Sequence, residues 1–73
     1  MSDVPENPQI RWMTLEETCA YFGDISPATL YRGIRSGAYA RPVKVGPNIS
    51  RWLEHENAAA RAKLIAARDR VAA

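Results

Sequence analysis

Residues 26–53 read SPATLYRGIRSGAYARPVKVGPNISRWL, and this stretch decides the fold. Ser26 is a helix N-cap, and Pro27 follows at the first helical position, where its missing N–H costs nothing. Leu30 and Ile34 fall on one helical face, flanked by Tyr31. Ala28, Thr29, Arg32, Gly33, Arg35 and Ser36 are left on the outer face. Gly37 stops the helix. The period then changes from helical to two. Val43 and Val45 alternate with Lys44, Gly46-Pro47-Asn48 signals a turn, and residues 49–52 form a second strand. The stretch predicts a helix over 26–36 and a hairpin over 41–53, with Trp52 folded back over the helices.

Upstream, residues 1–9 hold two prolines, two acids and an Asn and read as a flexible lead-in. Residues 10–13 read as a short strand. Thr14 is an N-cap, Glu17 completes a capping box, and Glu16 adds negative charge at the positive end of the helix dipole. Leu15, Thr18, Cys19 and Phe22 share one face of a first helix over 15–22, which Gly23 ends. Downstream, residues 54–73 are mostly Ala, Arg, Lys, Leu and Glu, all strong helix formers. Asn57, Ala60 or Arg61, Leu64, Ala67 or Arg68, and Val71 trace a thin stripe along that helix. The fold class expected is mainly α with a small β-hairpin. Two short helices, a tight turn between them and the hairpin describe a winged helix-turn-helix over residues 10–56. A C-terminal helix over 57–73 would dock on it or serve self-association.

Charge is strongly polarised along the chain. Residues 26–53 carry Arg32, Arg35, Arg41, Lys44 and Arg51 with no acid, while residues 1–25 carry five acids and one Arg. The formal net charge of +2 hides this segregation. A cationic middle framed by a helix and a hairpin is the footprint of a protein that binds a polyanion. Helix and hairpin together have the shape to enter one groove of a duplex and brace against the next.

Composition excludes other classes. A lone cysteine, Cys19, leaves no internal disulfide, which fits a reducing cytoplasm. No apolar run approaches the roughly twenty residues of a membrane span, and MSDVPENPQ lacks the pattern of a signal peptide. A cytoplasmic location with no membrane partner is expected. One histidine, His55, and one cysteine cannot make a usual zinc site, and Glu16 and Glu17 diverge on their helix. With no glycine-rich phosphate loop either, neither an enzyme nor a cofactor is expected.

The run from Ser26 to Glu56 resembles the AlpA-like group of small winged-helix DNA-binding proteins, related to phage excisionases and to the DNA-binding domain of MerR-type regulators. Ser26, Leu30, Tyr31, Arg32, Ile34, Gly37, Arg41, Pro42, Val43, Lys44, Gly46, Pro47, Arg51, Trp52 and Glu56 match that pattern. The likeness covers residues 13–56. Asn48 departs from it, standing where the hairpin tip usually carries Arg or Lys, and Ser50 stands where Val is usual. The resemblance implies binding of double-stranded DNA near a recombination or promoter site. Some members of the group are transcription activators. Others are recombination directionality factors that bend DNA, bias a site-specific integrase toward excision of a mobile element, and bind side by side on repeated sites.

The expected interface follows. The helix over 26–36 lies in a major groove, presenting Ser26, Pro27, Ala28 and Thr29 at its N-terminal end. There the backbone N–H groups and the Ser26 hydroxyl face a phosphate, or Ser26 is simply the cap. Arg32 is the first candidate for a guanine contact through O6 and N7, with a phosphate contact as its alternative. Arg35, a turn further with Ser36, is a phosphate candidate, and Thr29 a candidate for a thymine methyl. On the hairpin, Arg41, Lys44, Asn48 and Arg51 form the second set. Lys44 and Arg51 are expected on one face, with Val43, Val45 and Trp52 facing in. Tyr31, Trp52 and Trp12 are expected in the core. An excision factor is expected ahead of a transcription regulator, since nothing in the chain extends beyond the DNA domain. A protein-interaction module without DNA is the other class. It would carry an apolar outer face on the second helix, where this chain has basic and small residues.

Overall fold

The computed structural model describes residues 11–72, with side chains through Arg70. The expected lead-in over 1–9, Ile10, the side chain of Val71, and Ala73 fall outside the described residues. In chain order the elements are β1 (Trp12–Met13), α1 (Leu15–Tyr21), α2 (Pro27–Ser36), β2 (Val43–Gly46), β3 (Ile49–Leu53) and α3 (Glu54–Ala72). The protein is mostly helical, with one small antiparallel sheet.

Local chemistry sets the helix ends. Thr14 Oγ1 accepts from the Glu17 N–H at 3.1 Å, and the Glu17 carboxylate accepts from the Thr14 N–H at 2.8 Å. This reciprocal pair satisfies two N–H groups that the first turn leaves over. Phe22 caps the other end of α1, and the chain reverses through Gly23 and Asp24 at φ +95° and +61°. Ser26 Oγ accepts from the Thr29 N–H at 3.1 Å, and Pro27 opens α2. Gly37 closes α2 at φ +90°, a left-handed conformation that a Cβ would strain.

The sheet has the order β1-β3-β2, all antiparallel. The hairpin expected from the sequence is therefore extended by a third strand, because Trp12 and Met13 pair with Leu53 and Trp52. Inside the hairpin turn, Pro47 precedes Asn48 at φ +59°. Proline fixes a negative φ and asparagine tolerates the left-handed region, so the tip residue is chosen for the turn.

Leu30 and Trp52 are fully buried and Cys19 nearly so; Met13, Leu15, Phe22, Ile25, Ile34, Tyr39 and Ala40 pack around them. Trp52 also donates its indole N–H to the Ala40 carbonyl at 3.1 Å, which ties β3 to the loop after α2. One residue of the outer face of α2 is placed otherwise than expected. Gly33 is not open to solvent, because the Tyr39 ring lies against it, and a Cβ there would overlap Tyr39 Cδ2 and Cε2. Tyr39 is held from the other side by Phe22, ring centroids 4.6 Å apart. Alanine normally gains about 1 kcal/mol over glycine inside a helix. Here overpacking costs about 1–3 kcal/mol. Gly33→Ala is expected to lower the chemical-denaturation midpoint, where an open helix position would raise it.

α3 begins directly after β3, so a division between residues 56 and 57 cuts its first turns. Asn57 is fully buried there and donates through Nδ2 to Met13 Sδ and Thr18 Oγ1, both at 3.4 Å. Arg61 rests its guanidinium 4.1 Å from the centroid of the Tyr21 ring. Beyond it the helix leaves the core. Every described side chain from Ala62 to Arg70 is exposed except half-buried Ala67. The stripe expected to cover the domain is thus used only at its N-terminal end. The radius of gyration is 14.0 Å, where a compact chain of this length would have roughly 11 Å.

Candidate nucleic-acid interface

α2 presents its outer face to solvent. Pro27, Ala28, Arg32, Arg35 and Ser36 are exposed, and Thr29 is half-buried. The cap hydroxyl is already engaged: Ser26 Oγ accepts from the Thr29 N–H and donates to Thr29 Oγ1 at 3.0 Å. Ser26 is therefore a structural cap, and the N–H groups of the first turn remain the anion-facing feature of this end. Ser36 donates its hydroxyl to the Gly33 carbonyl at 3.0 Å. Thr29, Arg32 and Ser36 are brought together, with Gly33, Ala38 and Tyr39, around one open cleft of about 330 Å³.

The hairpin distributes its bases differently from expectation. Val43 lies opposite Arg51 and Lys44 opposite Ser50, so Lys44 and Arg51 point to opposite faces of the sheet. Trp52 shares a face with Ser50 and Lys44, and this face turns toward the core. Val43 belongs to the outer face with Arg51, and Val45 lines an outer cleft with Trp12 and Arg51. Tyr31, expected in the core, is exposed on α2; on the sheet Val43, Val45 and Ile49 are exposed, and Trp12 is 50% exposed, not a core residue. The physical reason on the sheet is the strand register. Trp52 fixes which sheet face is inner, and the pairing of Val43 with Arg51 sets the two valines on the other. Arg51 is half-buried and donates to the Ser50 carbonyl at 2.8 Å. Arg41, Lys44 and Asn48 are exposed.

Residues 26–53 hold five basic residues and no acid. The ion pairs among the described residues are Arg11–Glu54 at 3.6 Å and Arg68–Asp69 at 2.8 Å. None of them involves Arg32, Arg35, Arg41, Lys44 or Arg51. All five charges are left without an acidic partner on the described chain. Cys19 is no rival centre: burial pushes its thiol up, the reverse of what a reactive thiolate needs. Among the described residues no three of His, Cys, Asp and Glu gather where a metal ion would sit, and no helix is long and apolar enough to cross a membrane.

Tyr39 is the residue of this surface that sequence reasoning missed. Its signal is Gly33 itself, a glycine in mid-helix at a position with no turn to make, which marks close approach of another group. No protein-family model, curated protein or solved structure matches the chain.

Proposed function

We propose that this chain is a sequence-specific DNA-binding protein without enzymatic activity, its residues 11–56 acting as a winged helix-turn-helix. The observation that carries the reading is the set of five basic residues over 26–53, none of them neutralised within the described chain. An exposed helix face bearing Arg32 and Arg35 and no acid suits the major groove of a polyanion. Ala28 and Thr29 at its start are small enough to allow close approach to base edges. Arg41 and Lys44 reach the flanking phosphates from the hairpin. Arg51 contributes from the outer sheet face. Phosphate contacts position the protein, and Arg32 reads a base.

A role as a recombination directionality factor, which bends an attachment site and assists a site-specific integrase, is part of this proposal and rests on the resemblance given above. An AlpA-like regulator acting at a promoter is its variant. Self-association on DNA is supported by the distal half of α3, where Leu64 and Ile65 are exposed with no described core to cover. A second reading, a protein-interaction module, draws on a specific observation. Trp12, Val43, Val45 and Ile49 put an exposed apolar surface on the sheet. It is the weaker reading because the outer face of α2 is basic where such a module would be apolar.

A mobility-shift titration separates the two. Duplexes enriched by the purified chain from a random pool should be retarded in the presence of excess heterologous competitor DNA. On duplexes carrying repeated sites, successive bands should fill cooperatively. Failure to retain any duplex in about 50–100 mM salt, where phosphate contacts are still strong, leaves the interaction module standing.

A further inference from the structure

We propose that the cleft between α2 and Tyr39 receives the 5-methyl edge of a thymine, so that Tyr39, outside α2 and outside the hairpin, helps to specify the DNA sequence. The inference rests on the DNA-binding reading above and deepens it.

The cleft is lined by Thr29, Arg32, Gly33, Ser36, Ala38 and Tyr39, and its volume is about 330 Å³. It exists because Gly33 has no side chain. The Tyr39 ring settles against the helix backbone there, where any Cβ would overlap it. The ring does not swing freely. Phe22 holds it from behind at 4.6 Å between centroids, and the chain before it is pinned by the Ala38 N–H on the Gly33 carbonyl at 2.8 Å. The wall is therefore set before any ligand arrives, which spares ordering cost on binding.

Its chemistry is largely apolar, beside the charged Arg32 at its edge. Ala38, the Tyr39 ring, Gly33 and the Thr29 methyl supply carbon. Of the lining hydroxyls, that of Ser36 donates to the Gly33 carbonyl and Thr29 Oγ1 accepts from Ser26. Among the base edges of a major groove, only thymine offers an apolar group, its C5-methyl; the others offer donors and acceptors. An apolar concavity beside Arg32 on a groove-facing helix matches that one group. Arg32, exposed at the same cleft, is left for the neighbouring guanine or phosphate.

The test replaces thymine by deoxyuridine, one position at a time, in duplexes that the full chain itself enriched from a random pool. The substitution removes a methyl group and leaves every donor and acceptor in place. At one position per site, affinity should fall about fourfold, the worth of one methyl group leaving water. Tyr39→Ala should abolish that sensitivity. Thr29→Ser keeps the hydroxyl that accepts from the Ser26 cap and loses only a methyl, so it folds even if Tyr39→Ala does not, and it should weaken the sensitivity. Duplexes indifferent to every deoxyuridine overturn the proposal while leaving DNA binding intact. So does a sensitive position that responds equally in the parent chain and in Thr29→Ser. A chain that enriches no duplex overturns this proposal together with the DNA-binding reading.

Discussion

Trp52→Ala should leave most of the chain unfolded at 25 °C. Trp52 is fully buried beside Leu30 and Cys19, its ring 6.2 Å from that of Tyr31, and its indole N–H is spent on the Ala40 carbonyl. Truncating a buried tryptophan costs about 3–5 kcal/mol. A domain of this size has only a few kcal/mol in total. Trp52 also sits on the central strand, bonded to β1 on one side and β2 on the other, so its loss removes the joint between sheet and helices. Urea unfolding followed by far-UV circular dichroism should show little or no native baseline for Trp52→Ala. Trp12→Ala is the internal control: that ring is half exposed on the outer sheet face and its removal should cost about 1 kcal/mol or less. Comparable midpoints for the two variants would place the core elsewhere.

The elements that could be read from the sequence are those that local chemistry decides. Thr14 with Glu17, Gly23, Ser26 with Pro27, and Gly37 set four helix ends within a residue of their observed positions, because capping acts over three or four residues. Leu30 was legible as core because it shares one helical face with Ile34 between two clear caps, and Trp52 because it ends the hairpin beside the helices. What was not legible depends on partners distant in sequence. The short strand expected over residues 10–13 is present at Trp12–Met13, but that it joins the hairpin through Leu53 and Trp52 was not legible. The alternation of Val43, Lys44 and Val45 gives a period but not a sign, and the register assigned Val43 to the outer face. Asn57 was placed on the right stripe, yet its burial depends on Thr18, thirty-nine residues away. Of the candidate site, the outer face of α2 was legible from periodicity. The cleft was not, since it needs Tyr39 to return to Gly33 across the left-handed Gly37.

Reversing both charges on α2 should abolish duplex binding without disturbing the fold. Arg32 and Arg35 are exposed, make no described ion pair, and carry no part of the core, so Arg32→Glu with Arg35→Glu leaves the packing untouched. Two attractions become two repulsions against phosphate, and affinity should drop at least about 100-fold near 100 mM salt. The same double reversal at Lys63 and Arg70 samples a rival basic surface, the projecting half of α3, and should cost little. The salt dependence of binding reads the two surfaces most directly. For the unmodified chain, the logarithm of the association constant against the logarithm of salt concentration should fall with a slope of about −3 to −4, as expected for some four neutralised phosphates. Removing Arg32 and Arg35 as alanines should shallow it by about one, the share of the Arg35 phosphate contact, while the loss of Arg32 relaxes sequence preference; Lys63→Ala and Arg70→Ala should leave the slope in place. A slope near zero, or one that follows Lys63 and Arg70 instead, would contradict the assignment of the DNA surface to α2 and its hairpin.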